Sequence, residues 1–152
     1  MLFQFLEPFG EKTAVRFLLR QCERLFYAMA AVLLGCGLRR AELASVTVQH
    51  LQQREEHAVF ADLVGKGTHV RTVPVPFWVE AAVQKWLNTA NIMSGPVFRA
   101  INKAGPIAGA GFSPKVIFGV AKKACVKCDL TGVAPQDLRR YAEVVPRGRW
   151  RT

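Results

Sequence analysis

Apolar side chains return at helical spacing through residues 11 to 34. Val15, Leu18, Leu19, Cys22 and Leu25–Phe26 share one side, while Arg16, Arg20, Glu23 and Arg24 take the other. Within this stretch LFYAMAAVLL, Leu25 to Leu34, is apolar all round for ten residues. A membrane span needs about 20, so the run predicts a buried core helix that includes Tyr27. Gly35 and Gly37 are expected to break that helix, and RRAELASV, residues 39 to 46, opens a second, short one. The pattern then changes. HAVFADLV (57–64) and VRTVPVP (70–76) are rich in β-branched residues and flank GKGTH, which predicts a hairpin with Lys66 at its tip. Pro74 and Pro76 confine the second strand to a sheet edge or end it.

Helical periodicity resumes at 78–87, with Val79, Ala82, Val83 and Trp86 on one face. A long connection punctuated by Gly and Pro follows, TANIMSGPVFRAINKAGPIAGAGF, without a clear element. Ser113 and Pro114 supply an N-cap and first helical residue. The helix they open runs to about Ala124, with Ile117, Val120, Ala121 and Ala124 inward and Lys115, Lys122 and Lys123 outward. A last helix is expected near Pro135. The order gives a single α+β domain, mainly α, with a small antiparallel β-sheet inserted after the second helix. Strands and helices do not alternate as in nucleotide-binding α/β folds, and no GxGxxG or Walker pattern is present.

Composition narrows the function. The 152 residues are 51% hydrophobic and 21% charged, a globular balance with room for one core. Lys and Arg number 21 against 11 Asp and Glu, a net charge of +10. So basic a small domain points to a polyanionic partner, nucleic acid before others. The opening MLFQFLEPFG has neither a basic n-region nor a small-residue cleavage site, so the expected compartment is the cytoplasm, with no membrane association. CVKC, residues 125–128, has metal-like spacing. It has no second pair, and His50, His57 and His69 are scattered, so a four-ligand zinc site is not expected.

Three basic residues stand out by context. Arg39 follows Gly37–Leu38 at a helix start, where backbone N–H groups also point outward. Lys66 tips the hairpin, and Arg139 sits on the first turn of the last expected helix. The segments around them, LLGCGLRRAEL, LVGKGTHVRTVPVP and APQDLRR, occur in that order between residues 33 and 140. Together they resemble the tyrosine recombinases, the phage integrase family. The first resembles that family's Gly-Leu-Arg box, the second its Gly-Lys hairpin, the third its His-x-Leu-Arg box. The resemblance implies a catalytic-domain fold acting on double-stranded DNA without metal or cofactor. In that family a tyrosine attacks the scissile phosphodiester during integration or recombination. By the same resemblance Arg39 and Arg139 hold the non-bridging phosphate oxygens, as guanidiniums do by bidentate, charge-assisted hydrogen bonds. Lys66 protonates the leaving 5′ oxygen. Arg40, Arg140, Lys115 and Lys122 are candidate contacts to DNA phosphates or simple surface charges. Other recombinase protomers are implied as partners, and a bacterial, nucleoid-associated location follows.

The sequence also departs from the family pattern. Gln136 stands where the second box usually has His; an amide can hydrogen-bond a phosphate but cannot exchange a proton near neutral pH. Losing general acid–base assistance costs about 10²–10⁴-fold. The third-box His is not found. The only tyrosines are Tyr27, ahead of the first box, and Tyr141, two residues after Arg139 and therefore about 200° away from it on a helix. No nucleophile is identified. The family-like core covers about residues 11 to 140, and residues 141 to 152, YAEVVPRGRWRT, lack helical period. The expectation is a catalytic domain truncated at both ends and inactive alone. The alternative is a non-catalytic DNA-binding or regulatory remnant that pairs with a full-length recombinase.

Overall fold

The computed structural model describes residues 12–101 and 107–127, with Asp137 and Arg140; the side chains of residues 12–23, 66, 100–101, 107–110, 120–121 and 123–127 are outside that description. Helix α1 spans Lys12–Cys36 and stops where Gly37 takes a left-handed φ of 66°. Gly35 does not break the helix as expected. It lies within α1, where a Cβ would fall 2.3 Å from Val79 Cγ2 and 2.9 Å from Trp78 Cζ2. The residue is small because another helix crosses there. That helix is α3, Phe77–Ala90, and the short α2, Arg40–Ser45, lies between them in the chain.

Three antiparallel strands follow α2: β1, Leu51–Arg54; β2, His57–Val64; and β3, Val70–Val75, with β2 in the middle. The central strand buries Ala58 to Ala61 in succession and then Leu63. Its pairing with β3 shifts register between Phe60 and Leu63, beside Asp62 at a φ of 60°, an irregularity of the kind that bends a hairpin and re-aims its tip. Pro74 is accommodated because β3 is an edge strand, and Pro76 ends it at the start of α3. Strand β1 was not expected: LQQR has no alternation, and beyond Leu51 it is exposed.

The connection after α3 is also more ordered than its composition suggested. It holds a second hairpin, β4 at Arg99–Ile101 and β5 at Ile107–Gly111. Backbone bonds from Val97 N–H to Val46 O (3.0 Å) and from Val48 N–H to Gly95 O (2.9 Å) tie it to the chain leaving α2. The buried Trp86 indole donates to Val97 O at 2.7 Å, so the largest core side chain satisfies its one polar atom on this same connection. Helix α4, Pro114–Lys127, starts as expected, with Val116 N–H donating to Ser113 Oγ at 3.3 Å. Ile117 is fully buried, and Lys115 and Lys122 are exposed.

The core joins Leu25, Val32 and Leu33 of α1 to Leu38 and Leu43, to Phe60 and Val73 of the sheet, and to Val79, Val83 and Trp86 of α3. Tyr27 is not part of it. Its ring is 64% exposed, because the apolar run LFYAMAAVLL buries only the sides that meet other elements. Among the described helices none is long and apolar enough to cross a membrane. The last expected helix near Pro135 lies largely outside the described residues, although Asp137 and Arg140 are helical.

The Gly35 crossing gives a direct test. Alanine is favoured over glycine in a helix interior by about 1 kcal/mol, yet here its methyl would overlap Val79 and Trp78. Overpacking outweighs propensity, and Gly35→Ala is expected to destabilise the fold by about 1–3 kcal/mol in denaturant unfolding. A stabilised variant would show that α1 and α3 do not pack at this distance.

Candidate functional site

Arg39 is the N-cap of α2, in an extended conformation, with Leu43 N–H donating to its carbonyl at 2.9 Å. Its own N–H donates to Glu42 Oε2 at 2.8 Å. A glutamate at the third helical position that reaches back to the cap N–H is half of a capping box; an arginine at the cap has no acceptor to complete it. The Arg39 side chain is therefore directed outward, 45% exposed, with Nη1 3.6 Å from Glu42 Oε1.

Glu42 is the one charged residue buried among those described, at 3% exposure. A carboxylate there must be paired. Arg71 on β3 pairs it in a fork: Nε donates to Oε1 at 3.0 Å and Nη2 to Oε2 at 2.6 Å. Burial alone would raise the Glu42 carboxyl. The Arg71 hydrogen bonds, the Arg39 N–H and the charges of both guanidiniums outweigh it and hold the group below its ordinary value.

The same carboxylate meets the tip of the β2–β3 hairpin. Gly65 N–H donates to His69 O at 2.7 Å to close the turn, and Lys66–Thr68 form one turn of 3₁₀ helix within it. A Cβ on Gly65 would lie 3.2 Å from Glu42 Oε1, 3.4 Å from His69 O and 3.7 Å from Arg39 Nη1. A Cβ there would press on Glu42 Oε1 by a few tenths of an ångström and make an ordinary contact with Arg39 Nη1. The residue before Lys66 thus lies beside the Glu42–Arg39 pair, although the two segments are far apart along the chain.

Of the other candidates, Arg40 is exposed and stacks over the Phe118 ring of α4, its guanidinium carbon 5.2 Å from the ring centroid. A stacked guanidinium keeps its N–H edge available to an anion. Arg140 is 77% exposed and 3.7 Å from the Asp137 carboxylate. Lys115 and Lys122 stand on the outer side of α4. Arg139, Gln136 and Tyr141 lie outside the described residues, as do Cys128 and the tail, and the Lys66 side chain is not described. No group of three His, Cys, Asp or Glu that could hold a metal occurs among the described residues. Burial pushes the Cys36 thiol up to about 12, so it carries no thiolate at neutral pH.

Sequence reasoning missed Glu42 and Arg71 as working residues. The signal was there. Val73 and Val75 are buried on β3, and Arg71 falls on the same face by the two-residue period. An arginine on the inner face of a strand requires a buried carboxylate.

No protein-family model and no curated protein matches this sequence. Solved structures do. An integrase from mycobacterium phage Brujita aligns over 78% of this chain and 36% of its own, at 21% identity and a TM-score of 0.53. XerA recombinase aligns over 81% and 46%, at 20% identity and a TM-score of 0.60. XerH site-specific recombinase, solved bound to its difH substrate in a pre-cleavage complex, aligns over 93% and 39%, at 12% identity and a TM-score of 0.57. The chain therefore spans less than half the length of each of these proteins. The likeness is one of fold: a helical domain with a small three-stranded antiparallel sheet, shared with these integrase and recombinase structures.

The Glu42 cluster makes stability depend on pH in a stated direction. Its folded carboxyl lies below the ordinary value of 4.5. The ionised group thus favours the fold above that value, and its contribution fades as pH falls through the lower, folded one. Thermal melts of wild type and Glu42→Gln are expected to differ most near neutrality and to converge in acid. A gap that stays constant down to about pH 3 would show that folding does not lower the Glu42 carboxyl.

Proposed function

We propose that this chain is a DNA-binding domain of tyrosine-recombinase type, and that Arg39 grips a backbone phosphate beside the hairpin that carries Lys66. The observation that supports this reading is the position of Gly65, where a Cβ would lie 3.2 Å from Glu42 Oε1 and 3.7 Å from Arg39 Nη1, so the residue before Lys66 borders an exposed guanidinium. A phosphodiester offers two non-bridging oxygens, and a guanidinium meets both at once. The ammonium of Lys66 then serves a neighbouring oxygen, and Arg139 supplies the second guanidinium. Arg40, Lys115, Lys122 and Arg140 extend the contact along the DNA backbone. The net charge of +10 supports such a partner, and the XerH neighbour was solved on a DNA substrate.

We infer further that the 152-residue chain binds DNA without cutting it. Gln136 offers no proton at neutral pH. Tyr27 is exposed on α1, in the helix that precedes Arg39.

Fluorescence anisotropy on a duplex across a salt series tests the binding. Affinity is expected to fall steeply with salt, and Arg39→Ala to flatten the log–log slope by about one. A slope unchanged by Arg39→Ala would remove Arg39 from the interface. A nicked suicide duplex followed by denaturing electrophoresis tests the chemistry. No covalent adduct is expected, and a phosphotyrosyl adduct would overturn the non-cleaving assignment.

A further inference from the structure

Arg39 has a nearby rival for its charge. Glu42 is buried three residues away, with Oε1 only 3.6 Å from Arg39 Nη1. Left to itself, a buried carboxylate would draw that guanidinium into a direct pair, since a desolvated charge takes whatever counter-ion is within reach. Here that pair is long, 3.6 Å, while the Arg71 fork holds the two carboxylate oxygens at 3.0 and 2.6 Å. Oε2 also accepts the Arg39 N–H at 2.8 Å. We propose that Arg71 is a positioning residue: by holding both Glu42 oxygens in a fork it keeps the Glu42–Arg39 pair long and the Arg39 guanidinium within reach of an incoming phosphate, and it anchors the Lys66 hairpin at the same point.

The geometry separates this role from two simpler ones. As a phosphate ligand Arg71 has Nη1 alone to offer, because Nε and Nη2 are engaged on Glu42. Nor is it merely a brace of the fold. Its absence would have a specific consequence: Glu42 would turn to Arg39, the nearest remaining cation, and withdraw it from the surface. Lysine could not substitute fully. A point-charge ammonium cannot make the two parallel bonds of a guanidinium fork, and one carboxylate oxygen would be left to Arg39.

The inference rests on the proposed phosphate grip, and a double-mutant cycle on the full chain distinguishes the two. Duplex affinity at fixed salt is measured for wild type, Arg71→Gln, Glu42→Gln and the double variant, with Arg39→Ala alongside and circular dichroism to verify folding. Arg71→Gln is expected to weaken binding about tenfold or more, the worth of one charge-assisted contact, and to flatten the salt slope by about one. In the Glu42→Gln background the same change should cost little, because the carboxylate that captures Arg39 is gone. Equal losses in both backgrounds would overturn the proposal and make Arg71 a direct contact or a bystander charge. If Arg39→Ala has no effect, it is the phosphate grip that fails. Should Arg71→Gln not fold, Arg71→Lys in both backgrounds runs the same cycle. A smaller loss that disappears with Glu42→Gln is expected there, and equal losses again overturn it.

Discussion

One buried carboxylate sets the arrangement of everything around it. Glu42 cannot be left bare in the core, and its oxygens are divided between a strand, through Arg71, and a helix start, through the Arg39 N–H. Removing one partner of such a group commonly costs about 3–5 kcal/mol, far more than a surface ion pair is worth. The cluster therefore acts as a fixed point. It determines how α2 begins, how close the hairpin may come, and which guanidinium remains outside.

That fixed point sits where the local structure is least able to hold itself. Helix α2 has six residues, too few to persist without tertiary support. The hairpin tip departs from regular geometry, with Gly67 and Thr68 both at positive φ. Neither element would present a side chain reproducibly alone. Around them the support is ordinary packing: Leu43 is buried under α2, Arg40 stacks on Phe118 of α4, and Val97 pairs with Val46 just beyond the helix. Rigid neighbours thus confer precision on flexible carriers, the arrangement that positioning of a reacting or binding group requires.

What the sequence disclosed follows from how local each signal was. α1, β2, β3, α3 and the start of α4 carry strong periods or clear caps, and they appear within a few residues of expectation. Strand β1 and the β4–β5 hairpin were invisible because they are short, polar or built of Ala and Gly, and exist through pairing partners elsewhere in the chain. Gly35 was read as a breaker because its environment is a crossing helix, which no local window contains. Tyr27 was read as core because an apolar run does not say which of its sides meets another element. At the site, Arg39 and the hairpin were legible as motifs. Their meeting was not, since it depends on the Glu42–Arg71 pairing across 29 residues.

The distinction between charge and geometry bears on how a polyanion would be held. A net charge of +10 gathers counter-ions and acidic partners from any direction, yet in physiological salt its reach is limited to about 8 Å. Such a field concentrates DNA near the surface without choosing a phosphate. Choice requires donors fixed relative to one another at a scale below an ångström, which long surface lysines such as Lys115 and Lys122 cannot supply. Around Arg39 the backbone itself is held: the Arg39 N–H donates to Glu42, and Gly65 lies beside the same carboxylate. A side chain at Gly65 would leave the total charge unchanged and still press on the Glu42 carboxylate, the group that ties the start of α2 to β3.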